Sequence, residues 1–149
     1  MSLSIRCTTL LLALVLITAC GQQQADAIRV ENGWIAEIPP VIRVTAALMT
    51  LHNDGDNPKY LVAASSPNTA SIEIHKSVVV NDLAKMIQQK ELEIPAKGSL
   101  EFSNESGLHL MLYESKDIKA GNKIPLTLSF KDGSSITVDF EVVDRRKLL

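Results

Sequence analysis

After Ile28 the chain is broken repeatedly by turn-forming clusters, and this punctuation limits its fold more than any other feature. Pro39-Pro40, Asn53-Asp54-Gly55-Asp56-Asn57-Pro58, Ser66-Pro67-Asn68, Pro95-Ala96-Lys97-Gly98, Gly121-Asn122 and Lys131-Asp132-Gly133-Ser134 all favour chain reversal. The intervals between them are too short for most helices. Several alternate with period two, as half-buried strands must. Leu126, Leu128 and Phe130 alternate with Thr127 and Ser129, and beyond the Asp132-Gly133 turn Ile136, Val138, Phe140 and Val142 alternate with Thr137, Asp139 and Glu141. This pattern predicts a hairpin.

Further strands are expected over residues 28–36, 44–52, 60–64, 71–79, 91–94, 100–103 and 108–113. Short strands without a sustained helical period predict an all-β fold, an antiparallel two-sheet sandwich of cupredoxin- or immunoglobulin-like type. No internal repeat is evident. The net charge of −2 and the absence of a basic stripe argue against binding to nucleic acid.

The segment before the domain reads differently. Residues 1–19 carry one positive charge, an apolar run and a small residue ahead of Cys20, the layout of an export signal. The run is shorter than the roughly 18–20 residues a spanning helix needs, and no second run follows, so a soluble body is expected. Ile17-Thr18-Ala19-Cys20-Gly21 resembles the bacterial lipobox. That resemblance implies a mature protein beginning at a lipidated Cys20, with residues 20–27 as a tether and 28–149 as the domain. A plain secretory signal cut near Ala19, with Cys20 an incidental thiol, is the alternative. Several acyl chains on one cysteine hold a protein stably at a membrane surface, here the periplasmic or cell-surface face. Gly21 after the cysteine suits outer-membrane sorting if the host has two membranes. The other cysteine, Cys7, lies in the removable segment. The body therefore has no thiol for disulfide exchange or for a thiolate zinc site.

Signatures of enzymes are missing. The chain has no Gly-x-Ser-x-Gly elbow, no phosphate-binding glycine loop, no His-Glu-x-x-His and no cysteine nucleophile, so a non-enzymatic role is expected.

The chemistry concentrates in two strands. In Leu108-His109-Leu110-Met111-Leu112-Tyr113 the leucines share one face, and His109, Met111 and Tyr113 share the other. Met111 thus stands beside a histidine, opposite the apolar face where core packing would place it. Same-face neighbours lie about 6.6 Å apart, so an imidazole and a flexible thioether can converge on one ion. In Ser71-Ile72-Glu73-Ile74-His75-Lys76-Ser77, the isoleucines take one face and His75 shares the other with Glu73 and Ser77. Met86 follows behind Asn81-Asp82, where the chain can turn back toward His75. Two imidazoles and two thioethers form a soft, neutral donor set, which selects Cu(I) over zinc, calcium or magnesium. Singly, each residue has a plainer role, as a surface histidine or a core methionine.

Taken together, these residues resemble the periplasmic copper chaperones of the PCu(A)C family, whose signature sets a histidine, a methionine and a His-x-Met pair at comparable intervals. Here the members are His75, Met86 and His109-Leu110-Met111. Gly33-Trp34 before Pro39-Pro40, the run 46–53, Gly107 and Gly121 extend the likeness over residues 28–143. The second interval is one residue longer than usual, which a loop at Asn104-Glu105-Ser106 would absorb. Some members have a His/Met-rich tail, whereas this chain ends in Asp144-Arg145-Arg146-Lys147-Leu148-Leu149.

The resemblance implies Cu(I) held by His75, Met86, His109 and Met111 on an outward strand face. It also implies transfer to a copper-accepting protein, such as a cytochrome c oxidase subunit or another copper chaperone. Contact with the membrane would be by the lipid anchor only. Two alternatives stay open. One is a metal-independent, immunoglobulin-like lipoprotein that uses strand edges for protein contacts. The other is a copper-dependent enzyme, which would need an open coordination position and redox cycling that two thioethers disfavour. Of the remaining residues, Met49 is expected in the core, His52 at a turn rather than as a fifth ligand, and Trp34 packed in the sandwich. Glu91, Glu93, Lys97 and Glu101 are expected on a solvated face.

Overall fold

The structure is a computed structural model that describes residues 27–144 and 146. Residues 1–19, Cys20 and nearly all of the expected tether lie outside the described residues. Ten strands follow in order: β1 (Ile28–Ala36), β2 (Thr45–Asn53), β3 (Lys59–Ser65), β4 (Ser71–Val80), β5 (Leu83–Gln88), β6 (Leu92–Ile94), β7 (Gly98–Phe102), β8 (Leu108–Tyr113), β9 (Lys123–Phe130) and β10 (Ser135–Val143). Among the described residues no helix is long and apolar enough to cross a membrane.

The all-β expectation holds, and the β9–β10 hairpin forms with Ser129 opposite Ser135. One pairing departs from a purely antiparallel plan. β1 and β10 run parallel, with Trp34 opposite Glu141. The hydrogen-bonded order is β5-β4-β8-β2-β1-β10-β9-β3-β6, with β7 on β2, and the pairing of Ala64 with Ile72 brings β3 back to β4. The two layers are therefore joined into one curled, mixed sheet, and β5 is left as an outer edge.

Inward alternation fills the space between the layers. Ile35, Ala47, Leu51, Leu61, Leu110, Leu112, Leu126, Leu128 and Phe140 are fully buried, and Met49 joins them as expected. Full burial of such a side chain stabilises the fold by about 1.5–3 kcal/mol. β1 meets this core only because of an irregularity. Glu31 pairs with Thr50 but Trp34 pairs with Leu48, so β1 has one extra residue, and Asn32 takes a positive φ of 52° there. The bulge switches the side-chain parity. Ile28 faces inward before it and Ile35 after it, while Trp34 turns to the opposite surface, packed against the core's edge.

The alternation pattern does not predict β5. Its six residues are all exposed, so it carries no half-buried face by which to be recognised, and its ladder to β4 holds it. His52 lies within β2 rather than at a turn, and its Nε2 is 2.8 Å from a Glu31 carboxylate oxygen. Glu91, Glu93, Lys97 and Glu101 are exposed, as expected.

The turn of the β9–β10 hairpin is tied to β3 by Lys59, which donates to the Asp132 carboxylate. That hydrogen bond comes first among the influences that lower the Asp132 pKa from 3.8 to about 2; further hydrogen bonds from Ser134 act the same way. A depressed carboxylate contributes stability above its unfolded pKa and loses it as pH falls through the folded value. The Asp132 side chain is nearly half exposed, so screening limits this contribution to about 1 kcal/mol or less. Urea unfolding of Asp132→Asn is expected to show a deficit at pH 6 that shrinks as pH falls from about 4 to about 2. A deficit unchanged over that window would contradict the assignment.

Candidate metal centre

The register of β4 against β8 builds the site. His75 stands directly opposite His109, and Glu73 opposite Met111. Directly opposed side chains have Cβ atoms about 4.5–5.5 Å apart, and the two imidazole centroids are 6.0 Å apart with planes inclined at 54°. Met111 is two residues along β8, on the same face as His109. Met86 comes from the other side, since β5 pairs with β4 so that Met86 faces Ser77, the same-face neighbour of His75. That diagonal separation is within reach of a long side chain. All four expected residues thus share one face of three adjacent strands.

The face is outward from the core but not open. His109 is only 9% exposed, and the His75 side chain 12%. Met86, at 63%, is the exposed member. A cleft of about 470 Å³ lies over His109, Met111 and Met86, and Trp34, Ala46 and Leu48 are among its other walls. The bulge in β1 is what presents Trp34 to this cleft.

Hydrogen bonding leaves each imidazole with one committed nitrogen and one free nitrogen. The Nδ1 of His109 lies 3.1 Å from the Gly107 carbonyl oxygen. A carbonyl only accepts, so Nδ1 carries the proton and Nε2 keeps its lone pair. The Nε2 of His75 lies 2.8 Å from a Glu73 carboxylate oxygen, so in the neutral ring Nε2 carries the proton and Nδ1 keeps the lone pair. Both lone-pair atoms, His75 Nδ1 and His109 Nε2, are buried and have no hydrogen-bond partner among the described residues. Native proteins rarely leave buried polar atoms unpaired, because each costs about 1–3 kcal/mol. Two such atoms on facing rings, with thioethers alongside, form a donor set ready to coordinate.

Gly107 anchors the arrangement. Its carbonyl accepts from both the Ser77 N–H, at 2.8 Å, and His109 Nδ1. It has φ of +73°, and a Cβ there would lie 2.6 Å from the Ser77 carbonyl oxygen, so only glycine fits. Glu73 also influences Tyr113, whose pKa rises through burial first and then through the Glu73 charge and hydrogen bond. Among the described residues no cluster of three His, Cys, Asp or Glu side chains is arranged to hold a metal.

Alternation alone does not reveal that Glu73 and the Gly107 carbonyl orient the two rings, although the Glu-x-His spacing on one strand face is a signal for the first. Long-range ¹⁵N NMR correlations are expected to show His75 as the Nε2–H tautomer and His109 as the Nδ1–H tautomer. In Glu73→Ala, His75 should become a tautomeric mixture while His109 is unchanged. The same tautomer at both rings in the unmodified protein would contradict this geometry.

Comparisons with known proteins agree with the fold. The family model described as "Putative lipoprotein LpqE-like" matches residues 28–142. "Putative lipoprotein Lxx21020" of Leifsonia xyli subsp. xyli (strain CTCB07) is 31% identical over 152 residues, covering 94% of this chain and 90% of that protein. The solution structure of apo-DR1885 from Deinococcus radiodurans is 31% identical, covers 97% of each chain and superposes with a TM-score of 0.62. The solution structure of CuI-DR1885 is 33% identical, with 85% of this chain and 84% of that one covered and a TM-score of 0.64. The copper-bound PCuAC domain from PmoF2, at 18% identity over 79% of this chain and 93% of that one, has a TM-score of 0.65 and the same fold. The chain belongs to the LpqE-like lipoprotein family and is of the PCuAC type.

Proposed function

We propose that this protein is an extracytoplasmic, lipid-anchored copper chaperone that binds one Cu(I) through His75, His109, Met86 and Met111 and passes it to an accepting protein. The observation that carries the reading is the pair of buried, unpartnered nitrogens on His75 and His109. Each ring is oriented through its other nitrogen, as metal-ligating histidines generally are. His75 would coordinate through Nδ1 and His109 through Nε2. The two thioethers make the set soft and neutral, which favours Cu(I). The copper(I) form of DR1885, a structural relative at 33% identity, supports the choice of ion.

The donor set suits transfer rather than storage. Two imidazoles and two thioethers add no charge, so the bound ion stays cationic and is drawn to an acceptor that offers thiolates. Met86 is the exposed ligand, so exchange can begin there without opening the core. Having no cysteine in the body spares the donor from disulfide formation in an oxidising compartment. The accepting protein proposed, from the family resemblance, is a copper-bearing subunit of cytochrome c oxidase or another chaperone on the way to it. Lipidation of Cys20 would place the protein on the outer face of a membrane, and the lipoprotein descriptions of its family and relative support that anchor.

The double substitution His109→Ala with Met111→Ala is expected to weaken Cu(I) binding by roughly 100-fold or more in a competition titration against a chromophoric chelator. The variant should still fold, because the core face of β8 is untouched, with its apo melting temperature lowered by the loss of a largely buried ring and its bond to the Gly107 carbonyl. Unchanged affinity would reject the ligand set and favour a metal-independent lipoprotein.

A further inference from the structure

The β4–β5 hairpin overhangs the domain. β8 begins at Leu108, opposite Lys76, so beyond Ser77 the two strands of the hairpin pair, among the described residues, only with each other. Val79 and Leu83, at 74% and 64% exposed, and the exposed Val80 and Ile87 make it the most apolar projection near the site. Register places Val79 with Ala84 on one face and Val80, Leu83 and Ile87 on the other. A globular partner docking on either face would leave the opposite one in water, whereas a bilayer interface surrounds both. Lys76 and Lys85, both exposed, sit nearer the base of the projection. There their stems can follow apolar surface while the ammonium groups reach anionic headgroups.

Strand register also fixes which way the hairpin points. β2 and β4 are both antiparallel to β8 and so run in the same direction, and Ala47 and Ile74 both pair with Leu110. Six residues further along these strands come Asn53 and Val80, and Asn53 pairs with Ile28, where β1 begins. The hairpin tip and the entry of the chain into the domain therefore lie at the same end of the strands. Cys20 is eight residues before Ile28, a separation that spans at most about 28 Å when extended. The exposed Val41 and Ile42 precede Thr45, at the other end of β2.

We propose that the β4–β5 hairpin is a membrane-interface finger. Val79, Val80 and Leu83 enter the headgroup–acyl boundary of the bilayer that carries the anchor, with Lys85 and Lys76, and Ile87 opposite Lys76, at the level of the anionic headgroups. Asp82 at the turn keeps the entry shallow, within about 5–10 Å of that boundary. The contact would hold Met86, and so the mouth of the cleft, at a fixed height above the membrane. This inference rests on the lipid anchor proposed above.

The test uses the full chain, processed and acylated by its host and reconstituted in vesicles of equal parts phosphatidylcholine and phosphatidylglycerol. An environment-sensitive fluorophore is attached through Ala84→Cys or, as a control at the far end of the strands, through Lys119→Cys. Acyl-chain spin labels are expected to quench the label at position 84 several-fold more than that at 119, and Val79→Ser with Leu83→Ser should remove the difference. Mass spectrometry reports acylation separately, so an unmodified Cys20 overturns the anchor and the finger with it. Equal, weak quenching at both positions in acylated protein overturns the finger alone. So does protection of position 84 that requires an added copper-accepting protein and is absent from lipid vesicles without it.

Discussion

The antiparallel register between β4 and β8 is the constraint on which the rest of the structure depends. It sets His75 opposite His109, and Ile74, Leu108, Leu110 and Leu112, buried on the inner face of the same strands with Ile72 packed beside them, hold that register. A slip of one residue would send the imidazoles into the core and the leucines into the cleft, so the energy of core burial also maintains the site. Gly107 adds a second lock, because its carbonyl binds both Ser77 on β4 and the ring of His109. The proposed copper ligands therefore need little rearrangement, and their geometry is prepared by packing that no metal supplies.

Much of this was legible in the residues themselves. Alternation in β9, β10 and β8 is strong because one face of each is buried, and it located those strands and separated His109 and Met111 from the leucines between them. β5 was hidden for the opposite reason, since with all its residues exposed it has no apolar face to mark it. The bulge at Asn32-Gly33 was hidden because alternation cannot count an inserted residue, although an Asn-Gly pair within a strand is a local sign of one. Trp34 was expected to pack in the sandwich and does lie against the core's edge, but its place in the cleft wall depends on that bulge. The near-complete burial of the two histidines is a tertiary effect of surrounding elements, which an outward strand face in the sequence does not reveal.

The site divides its work between rigid and accessible parts. The two imidazoles sit deep, each tied through one nitrogen to a fixed acceptor, Glu73 or the Gly107 carbonyl. Met86 sits on an edge strand that, among the described residues, pairs only with β4. In the proposed cycle, the histidines would define the position of the ion while the exposed thioether at the mouth would yield to an incoming ligand. In that reading, placing the thioether on the hairpin would link the exit of the ion to the surface that the hairpin meets.

The central claim is convergence of four particular donors on one ion, and X-ray absorption of the protein titrated anaerobically with one equivalent of Cu(I) tests it most directly. The account predicts a first shell of two nitrogen and two sulfur neighbours, with the imidazole signal diminished in His75→Ala and the sulfur count halved in Met86→Ala. A shell of oxygen and nitrogen without sulfur, or one left unchanged by both substitutions, would contradict it.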